Sequence, residues 1–449
     1  MASAKPRPPL PPGPYLVLGL ARSGVAAALA LRARGEEVIG CDAGGPGNTA
    51  LDAAAGRLSA AGVEVHLDAS GDALAARART LVKSPGVPQS APLVRAARSR
   101  GTPVVGELEL AWRLLENEFV AVTGTNGKTT TTEWVGHIHR EAGLPVAVAG
   151  NVGTAASSLV GAVDPDATVV CEASSFQLED TESFSPEAAV LLNLAPDHLD
   201  RHGTYSEYVT AKLRIFANQG NDDIAVAPLD LGVEGLGGCA RRVLFGSGGG
   251  AELADRAGHL WWDEEPLIAV DRISLPGLHN RQNAMATAAV CLARGLDAGA
   301  VRAGLESFRG VPHRLERIAV KNCVEWVNDS KATNVASTIV ALEAFSREVH
   351  LIAGGRGKGQ DFAPLAPLVG QRCKTVYLIG EAAPELAAAL GPTGVPISDV
   401  GDLDRAVSRA GATAVAGDVV LLSPACASYD QYTDFEERGE HFRALVEAV

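Results

Sequence analysis

Residues 119–134 read FVAVTGTNGKTTTTEW, and this stretch decides how the middle of the chain folds. Its first four residues are apolar and β-prone, which predicts a buried strand. The segment GTNGKTT at 124–130 follows, and we expect a helix directly after it. A strand, a glycine-rich turn and a helix in this order direct backbone N–H groups at a polyphosphate. The sequence therefore predicts a nucleotide-phosphate loop.

Two side chains of this loop carry its expected chemistry. Lys128 should neutralise the outer phosphates of ATP, and the Thr129 hydroxyl should ligate Mg²⁺. Val122 stands where the general phosphate-loop formula has its first glycine, so a plain glycine-rich turn with an exposed lysine is the alternative. The order of the elements favours nucleotide binding. The loop residues assigned to ATP are Gly124, Thr125, Asn126, Gly127, Lys128, Thr129 and Thr130.

Short apolar runs and Ala-rich helical stretches alternate on both sides of this loop, which is typical of an α/β protein with parallel sheets. A chain of 449 residues is too long for a single hydrophobic core. We expect a flexible Pro-rich tail over residues 1–14 and three domains over 15–113, 114–311 and 312–449. Ligands should bind where the strands end, because open α/β sheets collect them there.

Composition excludes several classes of function. A net charge of −14 and the lack of long basic runs argue against nucleic-acid binding. The seven cysteines are widely spaced and contain no CxxC pair, which favours reduced thiols in a cytoplasm over disulfides or zinc. The uncharged segment 143–163 contains Pro145 and several glycines and serines, so we expect no membrane insertion. We expect a monomer.

A second glycine-rich turn, GLARSG at 19–24, follows the first predicted strand. It lacks the middle glycine of the GxGxxG dinucleotide fingerprint, which argues against a nicotinamide cofactor. We favour a turn that binds a phosphate or a sugar-nucleotide, and a purely structural turn stays open.

Further motifs follow the phosphate loop in a fixed order. They are GNVG at 150–153, EASSFQL at 172–178, NLAPDHLDRH at 193–202, YVTAK at 208–212, His279-Asn280, Asn283, His313-Arg314 and NDSKATN at 328–334. This succession resembles the Mur ligase family over nearly the whole chain. Within the family, SSFQL, GGRGKGQDF at 354–362 and LSPACASYDQY at 422–432 resemble the member that adds D-glutamate.

The resemblance implies an architecture and a reaction. It implies an N-terminal Rossmann-like domain for a UDP-sugar, a central P-loop ATPase with a mixed or parallel sheet, and a C-terminal Rossmann-like domain that closes on the site. ATP would phosphorylate the carboxylate of UDP-N-acetylmuramoyl-L-alanine, and the amino group of D-glutamate would attack the acyl phosphate. Collapse of the tetrahedral intermediate would release phosphate.

The same resemblance implies catalytic roles for Lys128, Glu172, His198 and Lys212. Two Mg²⁺ ions would be held by Thr129, Glu172, His198 and Lys212, the last as a carbamate derived from CO₂. Without the resemblance, Glu172 is a strand-end acid and Lys212 a plain helix lysine. The spacing of His198 and His202 could suggest zinc, but no third soft ligand is suitably placed, so His202 is interpreted as structural.

The remaining substrate contacts also come from the resemblance. Outside the loop, ATP is assigned six residues: Asn280, Asn283, His313, Arg314, Asp329 and Lys331. The UDP-sugar is assigned Leu20, Ser23, Asp42, Gly86, Asn151 and His198. The D-glutamate pocket is assigned Thr333, Lys358, Ser428, Tyr429 and Phe435. The alternatives without a role in binding are an exposed ion pair for Asp329 and Lys331, and a solvated side chain for Lys358.

Three rival functions remain. One is a related ligase with another acceptor, including the folylpolyglutamate type, against which the SPACAS and GGRGK runs argue. Another is a nucleotide-dependent switch, which would not need Glu172, His198 and the D-glutamate set together. The third is an NAD-dependent oxidoreductase, which the defective glycine fingerprint disfavours.

Overall fold

The computed structural model describes residues 5–69, 72–151, 153–231, 236–346, 348–357 and 359–449. The chain forms two compact units, Met1–Phe308 and Arg309–Val449. The first unit contains two β-sheets and the second contains one, and helices connect most of the parallel strands. The predicted α/β class is confirmed, whereas the division into three functional domains stays a prediction.

The first sheet of unit 1 has five parallel strands in the order β3-β2-β1-β4-β5. The strands are β1 Tyr15–Leu18, β2 Val38–Cys41, β3 Glu64–His66, β4 Thr80–Lys83 and β5 Val104–Gly106. The helices are α1 Arg22–Ala33, α2 Thr49–Ala60, α3 Asp72–Ala75, α4 Pro92–Ser99 and α5 Glu107–Leu114. Strands β1, β2 and β4 coincide with short apolar runs of the sequence, whereas β3 and β5 have only three residues each.

The second sheet of unit 1 has nine strands in the order β14-β13-β12-β11-β10-β9-β6-β8-β7. They are β6 Phe119–Thr123, β7 Val146–Gly150, β8 Thr168–Glu172, β9 Ala188–Leu191, β10 Ile224–Pro228, β11 Arg241–Gly246, β12 Leu253–Arg256, β13 His259–Trp262 and β14 Glu265–Ala269. The pairings of β12 with β13 and of β13 with β14 are antiparallel. The other pairings are parallel, so the sheet is mixed.

Six α-helices of the described residues accompany this sheet, and three of them pack together. They are α6 Lys128–Glu141, α7 Ser175–Leu178, α8 Leu199–His202, α9 Tyr205–Leu213, α10 Leu278–Ala293 and α11 Ala298–Ser307. The buried indole of Trp134 in α6 donates to the Gly304 carbonyl of α11 over 3.0 Å. A Cβ at Gly304 would lie 2.5 Å from Ile138, so only glycine allows this close approach.

Unit 2 is built on a six-stranded sheet in the order β15-β16-β20-β17-β18-β19, in which only β15 is antiparallel to its neighbour. The strands are β15 Glu316–Lys321, β16 Val324–Asn328, β17 Val349–Gly354, β18 Cys373–Ile379, β19 Ile397–Gly401 and β20 Val419–Leu422. The helices are α12 Val335–Glu343, α13 Ala366–Arg372, α14 Ala383–Leu390, α15 Leu403–Thr413 and α16 Phe435–Ala448.

Both faces of the unit 2 sheet are buried. Along β17, Leu351 belongs to the core on one face and Ile352 to the core on the other, because successive side chains of a strand alternate between faces. Strands covered on both faces read as continuous apolar runs, which is why β17 and β20 were predictable from sequence.

Residues 5–14, which the sequence predicts to be a flexible tail, make several contacts with the rest of unit 1. The Lys5 ammonium pairs with Asp223 at 2.5 Å, and the Arg7 guanidinium lies 3.1 Å from Glu187 and 4.5 Å from the ring centre of Trp112. These polar contacts hold in place a segment that its prolines had predicted to be flexible. Among the described residues, no helix has both the length and the apolar character needed to cross a bilayer.

Candidate active site

The phosphate loop joins β6 to α6 and depends on one glycine for its shape. Gly127 has φ +83° at the residue before α6, a conformation that side chains rarely adopt. A Cβ at this position would lie 2.2 Å from the Oδ1 atom of Asn283. The loop therefore rests against α10, and the ATP-assigned Asn283 lies directly behind it.

A second contact fixes the loop from the segment after β9. The backbone N–H of Asn126 donates to the Oδ1 atom of Asn193 at 2.9 Å, and the Asn193 amide returns a hydrogen bond to the Asn126 carbonyl at 3.1 Å. Thr125 donates its N–H to the Asn193 carbonyl and exchanges a 2.9 Å hydrogen bond with the Tyr208 hydroxyl. The loop is thus held in shape by the protein itself.

Two lysines converge on one carbonyl of this loop. Lys128 and Lys212 both donate to the Gly124 carbonyl oxygen, at 3.0 Å and 2.8 Å. Lys212 is only 2% exposed, and its ammonium lies 4.7 Å from the ring centre of Tyr208. Burial, and secondly the charge of Lys128, lower the pKa of Lys212 to about 7, against the opposing pull of nearby carboxylates. A substantial fraction of Lys212 is therefore a neutral amine near neutral pH.

Glu172 ends β8, which is hydrogen-bonded to β6 so that Glu172 pairs with Val122 beside the phosphate loop. Its Oε1 atom accepts a 2.9 Å hydrogen bond from the side-chain amide of Asn151. Its Oε2 atom is buried and has no hydrogen-bond partner. A buried carboxylate oxygen without a donor is costly unless a cation is nearby, so this side chain suits a metal ion. No group of three or more His, Cys, Asp or Glu side chains in the described part of the chain is arranged to hold a metal by itself.

The two histidines of the 193–202 motif occupy different surroundings. His198 is in the left-handed region at φ +51°, its side chain is 50% exposed, and its ring lies 4.8 Å from that of Phe176. His202 bonds to the Ser175 hydroxyl at 2.9 Å, and burial lowers its pKa. His198 makes no hydrogen bond or ion pair to Glu172 or Lys212 within the described ranges.

Four of the six residues assigned to the UDP-sugar, namely Leu20, Ser23, Asp42 and Gly86, lie where strands of the first sheet end. The two carboxylate oxygens of Asp42 accept from the backbone N–H groups of Leu20 and Gly44, at 2.7 Å and 2.8 Å. Asp42 therefore shapes the 19–24 turn directly. Ser23 lies in the first turn of α1 and Gly86 in the loop after β4, at the same sheet edge.

A buried ionic cluster in this region was not predicted from the sequence. The ammonium of Lys83, at the end of β4, is fully buried, pairs with Asp180 at 2.7 Å and donates to the Val87 carbonyl at 2.7 Å. Arg201 donates to the same carbonyl at 3.1 Å and to Glu179 at 2.8 Å. These bonds tie the loop that contains Gly86 to the segment that contains His198. The sequence feature that could have indicated this cluster is Lys83, a lysine at the end of a short buried strand.

Unit 2 places several assigned residues at the end of β16. The buried carboxyl of Asp329 accepts from the Leu315 N–H at 3.1 Å and from the Ser423 hydroxyl at 2.8 Å. Burial raises the pKa of Asp329 to about 7. His313 bonds to the neighbouring Asn328 at 3.0 Å, and Arg314 follows it in the chain. The alternative of an exposed ion pair does not describe the buried Asp329.

The remaining assigned residues are placed as follows. Asn280, in the first turn of α10, donates to the Pro276 carbonyl at 2.8 Å. The Lys331 ammonium lies 5.8 Å from the ring centre of Phe435, Ser428 is buried and Tyr429 is 60% exposed. Thr333 lies between β16 and α12. Lys358 lies outside the described residues.

Known proteins match this chain over nearly its full length. Residues 122–291 match the Mur ligase middle domain and residues 313–426 the Mur ligase glutamate ligase domain. The chain is 45% identical to the UDP-N-acetylmuramoylalanine–D-glutamate ligase of Anaeromyxobacter dehalogenans over 96% of each chain. It is 44% identical to that of Myxococcus xanthus over 97% of this chain and 98% of the relative.

Solved structures agree at the level of the fold. The UDP-N-acetylmuramate-alanine ligase of Thermotoga maritima superposes with a TM-score of 0.58 at 21% identity, covering 97% of this chain and 99% of that one. MurF from Acinetobacter baumannii gives a TM-score of 0.58 at 17% identity, covering 82% and 85%. The relatives above 40% identity and the two domain matches establish that the chain belongs to the Mur ligase family.

Proposed function

We propose that this protein is an ATP-dependent ligase that adds D-glutamate to UDP-N-acetylmuramoyl-L-alanine in the synthesis of peptidoglycan precursors. The observation that carries the proposal is the 44–45% identity, over nearly the full length of both chains, to ligases named for this reaction. The phosphate loop and the two lysines on Gly124 support the ATP-dependent part of the proposal.

The first chemical step brings two anions together, since a carboxylate attacks the γ-phosphate of ATP. Catalysis of such a step is mainly positioning and neutralisation of charge. Lys128 would leave the Gly124 carbonyl and bind the outer phosphates, while the backbone N–H groups of the loop bind the rest. Asn280, Asn283, His313, Arg314, Asp329 and Lys331 would bind the remainder of the nucleotide.

Thr129 and Glu172 would hold Mg²⁺, which when bound neutralises charge on the phosphates and orients them. The unpartnered buried Oε2 atom of Glu172 fits this role. His198 and Lys212 would serve a second ion in our proposal. His198 is half exposed and does not contact Glu172, so its part needs a separate test, which compares the Mg²⁺ dependence of His198→Ala and Glu172→Gln enzymes.

Lys212 suits modification by CO₂. Only the unprotonated amine forms a bond to the carbon of CO₂, losing a proton and leaving an anionic carbamate in place of a cation. The buried position and the pKa of about 7 supply that amine at neutral pH. The carbamate would then remove the repulsion between Lys212 and Lys128 and add an oxygen ligand beside the phosphate loop.

We further propose three domains with separate tasks. The first sheet, whose order β3-β2-β1-β4-β5 matches five of the six strands of a Rossmann sheet, would bind the UDP-sugar through Leu20, Ser23, Asp42, Gly86, Asn151 and His198. The nine-stranded sheet would be the P-loop ATPase. Unit 2 would be the second Rossmann-like domain and would bind D-glutamate through Thr333, Lys358, Ser428, Tyr429 and Phe435. We propose that the enzyme works as a cytoplasmic monomer.

Phosphate release with a panel of amino acids tests the proposal. Purified enzyme receives ATP, Mg²⁺ and UDP-N-acetylmuramoyl-L-alanine, with D-glutamate, L-glutamate, L-lysine, diaminopimelate or D-Ala-D-Ala. Release with D-glutamate alone supports the assignment, and release with another acceptor would transfer the protein to a different ligase of the family. Lys128→Ala enzyme is the matched control for contaminating ATPase activity.

A further inference from the structure

Arg438, in the first turns of α16, is a fully buried cation of unit 2. Its side chain is 1% exposed. The Nε atom donates to the Ser330 hydroxyl at 3.0 Å, and Nη2 donates to the carbonyls of Ser330 and Cys426 at 2.8 Å and 3.2 Å. The Nη1 atom is buried without a hydrogen-bond partner.

This guanidinium forms no close ion pair with a carboxylate of the described residues. Within the described ranges, no carboxylate lies within 4.0 Å of Arg438, and its bonds go only to a hydroxyl and to carbonyls. Burial lowers the pKa of Arg438 to about 10, against weaker opposing contributions from Cys426, Asp430 and Tyr432. A buried charge that lacks a counter-charge is costly, and side chains in this condition mark functional sites.

The contacts of Arg438 join the loops that follow three neighbouring parallel strands. Ser330 follows β16 and Cys426 follows β20. The third loop begins at Gly355 after β17, where a Cβ would lie 3.2 Å from the Nη1 atom. Loops at the carboxyl ends of adjacent parallel strands form the usual ligand edge of such a sheet.

These loops also contain the residues proposed for the amino-acid substrate. Thr333 lies a few residues beyond Ser330, Ser428 lies two residues after Cys426, and the Ser330 hydroxyl donates to the Phe435 carbonyl at 2.8 Å. The substrate proposed above has two carboxylates, so it brings negative charge towards a buried cation that has no close ion-pair partner.

We propose that Arg438 is a positioning residue of the D-glutamate pocket. Its guanidinium holds the three loops in place relative to one another and supplies a positive charge beneath a dicarboxylate substrate. The inference rests on the proposed function. The side chain acts through the loops, since the buried guanidinium is covered by them.

Steady-state kinetics of Arg438→Met and Arg438→Lys enzymes test the inference. The methionine variant should raise KM for D-glutamate at least about tenfold, with KM for ATP and for UDP-N-acetylmuramoyl-L-alanine within about threefold of wild type. The lysine variant keeps the charge and should recover part of the loss. Arg405→Met, which removes an exposed arginine of the same unit, is the control and should leave all three KM values unchanged.

Equal increases in all three KM values, or an unchanged KM for D-glutamate, would overturn the inference, because a purely structural arginine would not affect one substrate alone. Should Arg438→Met fail to fold, Ser330→Ala removes the Nε acceptor and should shift KM for D-glutamate in the same direction. A wild-type enzyme that uses only a monocarboxylate amino acid would refute both proposals. If the wild-type enzyme uses D-glutamate and the Arg438→Met enzyme has the same KM for D-glutamate, only the proposed role of Arg438 is refuted.

Discussion

Replacing Lys212 by methionine should remove a specific dependence of stability on pH. The pKa of Lys212 falls from 10.5 to about 7 on folding, because its ammonium is buried and lies near that of Lys128. Between these two pH values the unfolded chain binds a proton at Lys212 that the folded chain does not. The free energy of unfolding should therefore rise with pH in this window, by up to about 1.4 kcal/mol for each pH unit.

Over the whole window from about pH 7 to pH 10.5 the effect is about 5 kcal/mol, of which about 4 kcal/mol falls between pH 7 and pH 10. Urea denaturation from pH 7 to pH 10, in buffer depleted of CO₂, would measure it through tryptophan fluorescence. Four of the five tryptophans, Trp112, Trp134, Trp261 and Trp262, lie in the unit that contains Lys212. If the free energies of unfolding of the wild-type and Lys212→Met proteins change in parallel between pH 7 and pH 10, Lys212 is not a buried amine with a lowered pKa.

Further changes should have the following results. Gly127→Ala should cost at least about 1 kcal/mol in backbone strain and weaken ATP binding measured by calorimetry, because its Cβ collides with Asn283. Lys83→Met removes the ammonium that pairs with the buried Asp180, which keeps a hydrogen bond from Gln89, and should destabilise unit 1 by about 3–5 kcal/mol in urea denaturation. Arg77→Met removes an exposed ion pair and should change the denaturation midpoint little. Because the pKa of Asp329 is raised, the folded chain holds a proton between pH 3.8 and about 7 that the unfolded chain has lost. The free energy of unfolding should therefore fall as pH rises through this range. Asp329→Asn should abolish that fall in denaturation experiments. Glu172→Gln should fold normally but lower kcat by at least about a hundredfold in the phosphate-release assay, with a raised Mg²⁺ requirement.

Several strands that precede candidate site residues in each unit were predictable because they are apolar throughout. Strands β1, β6, β17 and β20 are buried on both sides of their sheets and stand out as continuous hydrophobic runs. The three-residue strands β3 and β5 carry too few residues to show a pattern, so they could not be recognised before the sheet was seen.

Contacts between distant segments were the part that sequence could not supply. The phosphate loop was predictable as a local motif, whereas the hydrogen bonds from Asn193 and the convergence of Lys128 and Lys212 on Gly124 depend on folding. Arg438 escaped notice because an arginine in a charged helical segment reads as a surface residue. The prolines of the N-terminal segment suggested flexibility, but its lysine and arginine anchor it.

Oxygen transfer from substrate to phosphate tests the proposed chemistry most directly. UDP-N-acetylmuramoyl-L-alanine labelled with heavy oxygen in its terminal carboxylate would be turned over with D-glutamate and ATP, and the released phosphate analysed by mass spectrometry. Formation of an acyl phosphate predicts one heavy oxygen in each phosphate released, because the carboxylate oxygen leaves with it. Unlabelled phosphate accompanied by amide product would contradict activation of the carboxylate by ATP.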